Sequence, residues 1–269
     1  MNSAPWVSYD TVAETYERVA VPWFEDLARD LVDAVALSPG ECLLDVGTGT
    51  GLTAAVARGD LGSSGLTIGI DPSMDMLRLA RSRRGIVTAA AALPGLPFRD
   101  ATFDAVVANL VLSHVPDLAG GLTDLVRALR PGGRLGFTAW APDLHHPDDQ
   151  KAAADDIVAM VREECGLPSQ APVPGAPWEE QLRNRAELAS FLTRARLLDI
   201  DVRGHTYRRV FTVNDYLSGW GGLDRYLRWE FGDERWREFS DRAATELRQR
   251  FHDGILSVTQ AWVATGKAV

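Results

Sequence analysis

The run Cys42-Leu43-Leu44-Asp45-Val46-Gly47-Thr48-Gly49-Thr50-Gly51 sets an acid and three alternating glycines behind a short apolar stretch, and a helix-like segment, Leu52 to Arg58, follows. Glycine has no Cβ and takes φ > 0 without steric cost, so a ligand can lie against the bare backbone of such a turn. The helix start brings N–H groups to the same place. This is the chemistry of a nucleotide cradle at the carboxyl end of a strand. A second apolar run, Leu66 to Ile70, ends in Asp71, 20 residues beyond Gly51. A carboxylate there can accept both hydroxyls of a ribose. Asp71-Pro72-Ser73 also reads as a helix start with a capping side chain, and the two roles can divide between Asp71 and Ser73.

Proton chemistry is available at His114, in Leu112-Ser113-His114-Val115-Pro116-Asp117, because imidazole titrates near neutral pH. A histidine that orders the loop ahead of the next helix fits the same position. His205 and His252 read as structural. His145-His146 with Asp148-Asp149 has metal-ligand residue types, but reads as a solvated loop before an acidic helix start, so no metal site is expected. Trp220, Tyr226, Trp229, Phe231, Trp236 and Phe239 crowd into 20 residues, and Trp178 lies in an earlier polar segment. Trp178, Trp220, Tyr226 and Trp229 are the expected substrate wall, since aromatic walls suit a sizeable apolar ligand. The same residues could instead fix cap helices to a sheet.

The elements that must position these groups follow from periodicity. Tyr9, Val12, Ala13 and Tyr16 share a helical face, and Trp23, Leu27, Leu31 and Val35 continue a second helix up to Ser38-Pro39-Gly40. Residues 41–140 alternate strand and helix: strands at 42–46, 66–70, 86–89, 103–108 and 133–140, helices near 51–58, 73–84 and 117–130. Pro131-Gly132-Gly133 forms a turn before the fifth strand. Such alternation implies βαβ units and a parallel sheet buried on both faces. Helices are expected at 148–164, 178–196, 213–230 and 233–252, with strands from Leu197 and at 255–265.

The chain has 269 residues, 46% hydrophobic, with net charge −9 and a pI near 5.1. That charge argues against a nucleic-acid surface. No apolar run reaches the roughly 18 residues that span a bilayer, and the N-terminus reads as carrying no signal peptide. Cys42 and Cys165 do not make a disulfide framework, so the cytosol is the expected compartment.

Asp45-Val46-Gly47-Thr48-Gly49-Thr50-Gly51 resembles motif I, D/E-x-G-x-G-x-G, of class I S-adenosylmethionine-dependent methyltransferases. Asp71-Pro72-Ser73-Met74-Asp75-Met76-Leu77 resembles the family's D-x-S-x-x-M-L. Phe103-Asp104 with Val106, Leu112 to Asp117, and Arg127-Ala128-Leu129-Arg130-Pro131-Gly132-Gly133 resemble its later segments, in order and at the usual spacing over about residues 40–140. The branch it looks like methylates small molecules, as in ubiquinone biosynthesis. The resemblance implies an α/β, Rossmann-like doubly wound seven-stranded sheet with its last strand antiparallel, and a helical cap. It implies lid helices in 1–40, a cofactor core in 41–140, cap or substrate segments in 141–198 and 213–253, and the last two strands in 199–212 and 254–269. It further implies S-adenosylmethionine bound by Asp45, Gly47, Thr48, Gly49, Gly51, Asp71, Asn109 and Leu110. Pro72 and Met76 would pack on adenine, Tyr9 or Tyr16 would close a lid, and His114 would be the base. Where the family has an adenine-binding carboxylate this chain has Ala92, so the backbone of Ala92 and Leu93 would read the adenine edge. The expected partner is a small-molecule acceptor, with no nucleic acid and no membrane insertion. An enzyme that uses the bound sulfonium to assist a cyclisation, and a non-catalytic cofactor-binding module, remain alternatives.

Overall fold

The computed structural model describes residues 8–142, 146–171, 176–219, 221–252 and 254–269. Its elements divide between two compact units. The first comprises Met1–Ala20, Asp143–Gly175 and Thr206–Thr259; the second comprises Val21–Pro142, Ala176–His205 and Gln260–Val269.

The second unit carries the alternating core. Strands β1 (Cys42–Val46), β2 (Leu66–Asp71), β3 (Val87–Ala90), β4 (Phe103–Asn109) and β5 (Leu129–Trp140) are parallel neighbours. With β6 (Leu198–Phe211) and β7 (Ile255–Lys267) they form one seven-stranded sheet in the order β3-β2-β1-β4-β5-β7-β6, and β7 runs antiparallel to β5. The chain departs from β1 toward β2 on one side and returns to β4 on the other. The gap between β1 and β4 is therefore the topological switch point, where the carboxyl ends of open α/β sheets take ligands.

Both faces are covered, which explains why β1 and β4 are almost wholly apolar. On one face α2 (Val21–Val35) packs on α3 (Leu52–Leu61), β4 and β5. There a Cβ at Gly136 would lie 2.3 Å from Val35 Cγ2, so α2 rests directly on the backbone of β5. Ala54 of α3 and Ala80 of α4 (Met74–Arg84) share a small cluster with Ile86. Leu135 and Phe137, of the opposite parity to Gly136 on β5, join the main core with Leu118, Leu122 and Leu125 of α5 (Leu118–Ala128), Leu182 of α7 (Glu179–Arg183) and Leu188 and Leu192 of α8 (Arg185–Arg194).

Three boundaries differ from the sequence reading. The segment 178–196 is two helices, because Asn184 leaves the helical region and caps α8 by accepting from Ala186 N and Glu187 N. Pro131-Gly132-Gly133 is a bulge inside β5 rather than a turn before it, and the register with β4 jumps from Leu129 to Arg134 there. The segment 213–230 is a short α9 (Val213–Tyr216) and the start of α10 (Gly222–Phe251); α10 breaks at Gly232, with φ 83° and ψ 165°, where the expected helices 213–230 and 233–252 part.

The first unit contains α1 (Ala13–Val19), α6 (Lys151–Glu164), α9 and α10. Its core joins Val158 and Val161 of α6 to Leu227, Trp236, Phe239 and Leu247 of α10. Among the described residues no helix is long and apolar enough to cross a membrane.

Candidate cofactor site

The glycine turn takes the conformation its composition predicts. Gly47, Gly49 and Gly51 have φ of 62°, 54° and 88°, a region that penalises any Cβ. Gly47 is also sterically closed, since a Cβ there would lie 2.3 Å from Val111 Cγ2. Gly51 opens α3 without a side-chain cap of its own. Asp45 supplies that function from beneath the turn: it is 1% exposed and accepts from Thr48 Oγ1 at 2.7 Å and from Ala54 N at 3.0 Å. One carboxylate thus ties the strand, the turn and the first turn of the helix together.

Burial pushes the Asp45 carboxyl up to about 7; the bonds from Thr48 and Ala54 oppose that rise, and the neighbouring Asp71 adds to it. The folded state therefore holds this proton more tightly than the unfolded chain, whose carboxyl titrates at its ordinary value of 3.8. The resulting stability is fully present below about pH 4 and is lost as pH rises through 7, a span worth up to about 4 kcal/mol. Asp45→Asn keeps the shape, can accept from Ala54 N, and cannot ionise. Thermal melts from pH 5 to 8 should show the wild type losing stability with rising pH and the variant losing markedly less. Asp224, raised to about 6 by its own burial, keeps part of the slope in both proteins. Parallel curves for the two proteins would disprove this assignment.

Asp71 ends β2 beside the turn. Its Oδ2 accepts from Gly49 N at 3.0 Å and its Oδ1 from Ser73 N at 2.8 Å. Ser73, not Asp71, is the N-cap of α4, accepting from Met76 N at 3.2 Å. The capping and strand-end roles are thus carried by different residues.

Across the switch point, Asn109 ends β4. Its Oδ1 accepts from Thr138 Oγ1 at 2.6 Å and its Nδ2 donates to Thr53 Oγ1 at 3.3 Å. Leu110 follows at φ 56°, and its N–H donates to Thr138 Oγ1 at 2.9 Å. A non-glycine residue held there stores strain that its surroundings must fix, and Thr138, 2% exposed, does so. His114 is exposed on the 3-10 turn Leu112–His114 that follows. Trp178 joins this turn: its backbone N–H donates to Ser113 O at 3.2 Å, its ring meets Phe191 edge-on at 6.4 Å, and its indole Nε1 is buried with no partner among the described residues.

The remaining expected cofactor residues of this unit lie at the rim or below it. Pro72 and Ala92 are exposed, Leu93 is 7% exposed, and Met76 is packed in the core at 2%. Gly69, Thr53, Thr138 and the Trp23–Trp140 pair lack a local sequence signal. A Cβ at Gly69 would lie 2.7 Å from Thr48 Oγ1, so this strand glycine makes room for the turn. Trp23, in the first turn of α2, stacks on Trp140, the last residue of β5, at 5.4 Å and 26°.

Tyr9, Tyr16, Tyr226 and Trp229 belong to the first unit. Tyr9 and Tyr16 meet edge-on at 5.9 Å, and the Arg225 guanidinium lies 4.1 Å above the Tyr9 ring. Tyr226 packs on the α6–α10 core, edge-on to Phe231 at 6.4 Å. Trp229 is 52% exposed. Trp220 lies outside the described residues, as does His145.

Residues 44–137 match the methyltransferase domain family. This segment is a class I methyltransferase domain. The chain is 34% identical over 142 residues to nocamycin O-methyltransferase of Saccharothrix syringae, covering 50% of each. It is 34% identical over 140 residues to an aklanonic acid methyltransferase of a Streptomyces species, covering 49% of this chain and 63% of that one. The chain thus spans about half the length of the curated relatives it matches. The fold around the methyltransferase domain is also that of the [4+2]-cyclase SpnF, at TM-score 0.57 and 19% identity, covering 97% of this chain and 94% of that one.

Proposed function

We propose that this protein transfers a methyl group from S-adenosylmethionine to a small aromatic or quinone-like acceptor by in-line displacement. The observation that carries the reading is the cradle at the switch point, where Gly47–Gly51 and Asp71 are joined through the Gly49 N–H. The residues present suit the cofactor: two glycines pack too tightly for a side chain, Asp71 stands beside the turn, and Thr50 Oγ1 is buried without a partner among the described residues. When bound, the cofactor supplies an electrophilic sulfonium methyl.

This chain's residues would do the rest. Asp71 accepts from the ribose hydroxyls, and the backbone of Gly47, Thr48, Gly49 and Gly51 lies against the methionine end, with Asp45 holding the turn from below. Asn109 and Leu110 form the opposite wall. Pro72, Ala92 and Leu93 border the adenine, with Met76 supporting them from the core. Trp178, whose backbone N–H donates to Ser113 O beside His114, borders the acceptor. His114, exposed on its turn, takes the proton from an acidic acceptor and passes it to water. Fixing nucleophile, methyl and leaving sulfur in line supplies much of the rate, and displacing water supplies more. The O-methyltransferase and the acid-directed enzyme among the relatives favour an oxygen nucleophile. The free cysteines fit work in the cytosol.

Incubation with S-adenosylmethionine and a panel of hydroquinones and aromatic acids, followed by mass spectrometry, tests this. The expected result is an acceptor heavier by one methyl together with an equal amount of S-adenosylhomocysteine. A product of unchanged mass with the cofactor intact would overturn methyl transfer in favour of a cyclase or rearrangement activity on the same fold.

A further inference from the structure

The first unit carries a half-open cavity of ≈ 220 Å³ lined by Thr11, Val12, Gly219, Arg225, Arg228, Trp229 and Asp233. Two of its walls are cationic. Arg225 is 7% exposed and is braced by the Tyr9 ring beneath its guanidinium, at 4.1 Å. Arg228 stands three residues along α10, on the same helical face. A third wall is apolar: Trp229 leaves 52% of its surface in water, a large apolar area to expose beside a cavity.

Asp233 shows how the cationic wall takes an anion. Arg228 Nε and Nη2 converge on its Oδ1, at 3.2 and 2.9 Å. Both donors share one oxygen, so the parallel two-oxygen pairing that a guanidinium favours is not made. The acid is loosely held: its side chain is 68% exposed and it directly follows the break at Gly232. Asp224, half-buried on the same helix, has its carboxyl raised to about 6 by desolvation, and Arg162, Arg225 and Arg228 oppose that rise. Gly219 keeps the cavity open, because a Cβ there would lie 3.1 Å from Trp236 Cζ2 and 3.4 Å from Arg228 Cδ at φ 76°.

We propose that this cavity binds an aromatic carboxylate, with the acid displacing Asp233 to pair with Arg228 and the ring lying on Trp229. The site lies wholly within the first unit, and the inference goes beyond the methyl-transfer reading. The binding itself can be measured without cofactor or turnover.

Calorimetric titration with 1-naphthoate, and with its neutral isostere 1-naphthamide, provides the test. Naphthoate should bind at least about tenfold more tightly than the amide, the scale of one charged hydrogen-bonded pair. Arg228→Gln should abolish that preference. Asp233→Asn should strengthen naphthoate binding by removing the competing acid, a gain that damage to the fold does not produce. Equal binding of acid and amide, or an Asp233→Asn variant no tighter than wild type, would overturn the proposal. A parallel titration with S-adenosylmethionine separates the two readings: failure to bind the cofactor counts against methyl transfer and leaves the naphthoate result standing.

Discussion

Gly47→Ala is expected to remove most of the affinity for S-adenosylmethionine while the protein still folds. The new Cβ would lie 2.3 and 2.7 Å from the two methyl carbons of Val111, closer than carbon atoms approach without something moving. The residue would also be held at φ 62°, which costs a side-chain-bearing residue about 1–2 kcal/mol. Neither side of the contact can yield easily. The turn is anchored by Asp45 and Asp71, and Val111 directly follows Leu110, itself in the left-handed region and tied to Thr138. The methyl group therefore pushes the end of β1 away from the end of β4, across the gap that receives the ligand.

A separation of even a few tenths of an ångström spoils several hydrogen bonds at once, and a loss of roughly 100-fold or more in affinity follows if two of them fail. Gly132→Ala is the matched control. It too has a positive φ, 77°, but nothing lies within 4 Å of its Cβ. It should lower the melting temperature and leave cofactor titration unchanged. Gly47→Ala with Val111→Ala should recover part of the lost affinity, because the clash goes and only the strain remains. Wild-type affinity in Gly47→Ala alone would refute the placement of the cradle.

The contrast between Gly47 and Gly132 also marks what could be read in the chain beforehand. The cradle was legible because its chemistry is local: an apolar run, an acid and three glycines fall within ten residues, and one strand-to-helix turn uses them all. The cap on Ser73 was legible for the same reason. The polar brace Thr53–Asn109–Thr138 was not, because its members come from α3, β4 and β5, and each alone is an ordinary polar residue near the end of an element. Gly69 carries no signal of its own in a strand, and only the packing of Thr48 against it explains it. Trp23 and Trp140 stack across more than a hundred residues of sequence. Met76 sits at a position where a motif match and a core position look alike; its burial at 2% makes it first of all a part of the α4 core. The break at Asn184 and the one between α9 and α10 escaped a reading by apolar period because the helices on either side keep the period, whereas the break at Gly232 falls between the helices expected at 213–230 and 233–252.

Asp71 carries the second large expectation, and two possible roles must be separated there. On the proposed reading its carboxylate accepts from the ribose hydroxyls; in the structure it also holds Gly49 N and Ser73 N. Asp71→Ala removes all of these at once. With charge-assisted bonds worth about 1.5–3 kcal/mol each, losing two to the ribose costs roughly 10²- to 10⁴-fold in affinity. Loss of cofactor binding alone would not distinguish a ribose ligand from a residue that merely orders the turn. A thermodynamic cycle does: adenosine and 2′,3′-dideoxyadenosine are titrated into wild type and Asp71→Ala. If Asp71 meets the ribose, the substitution weakens adenosine strongly and the dideoxy analogue little, because that analogue has no hydroxyls to lose. If both weaken equally, Asp71 acts only through Gly49 and Ser73 and the ribose assignment falls. Asp71→Asn refines the outcome, since its single carbonyl oxygen can keep one backbone donor but lacks the charge that strengthens both hydroxyl contacts. An intermediate loss for adenosine, with the dideoxy analogue near wild type, is the result expected of a carboxylate that reads the sugar.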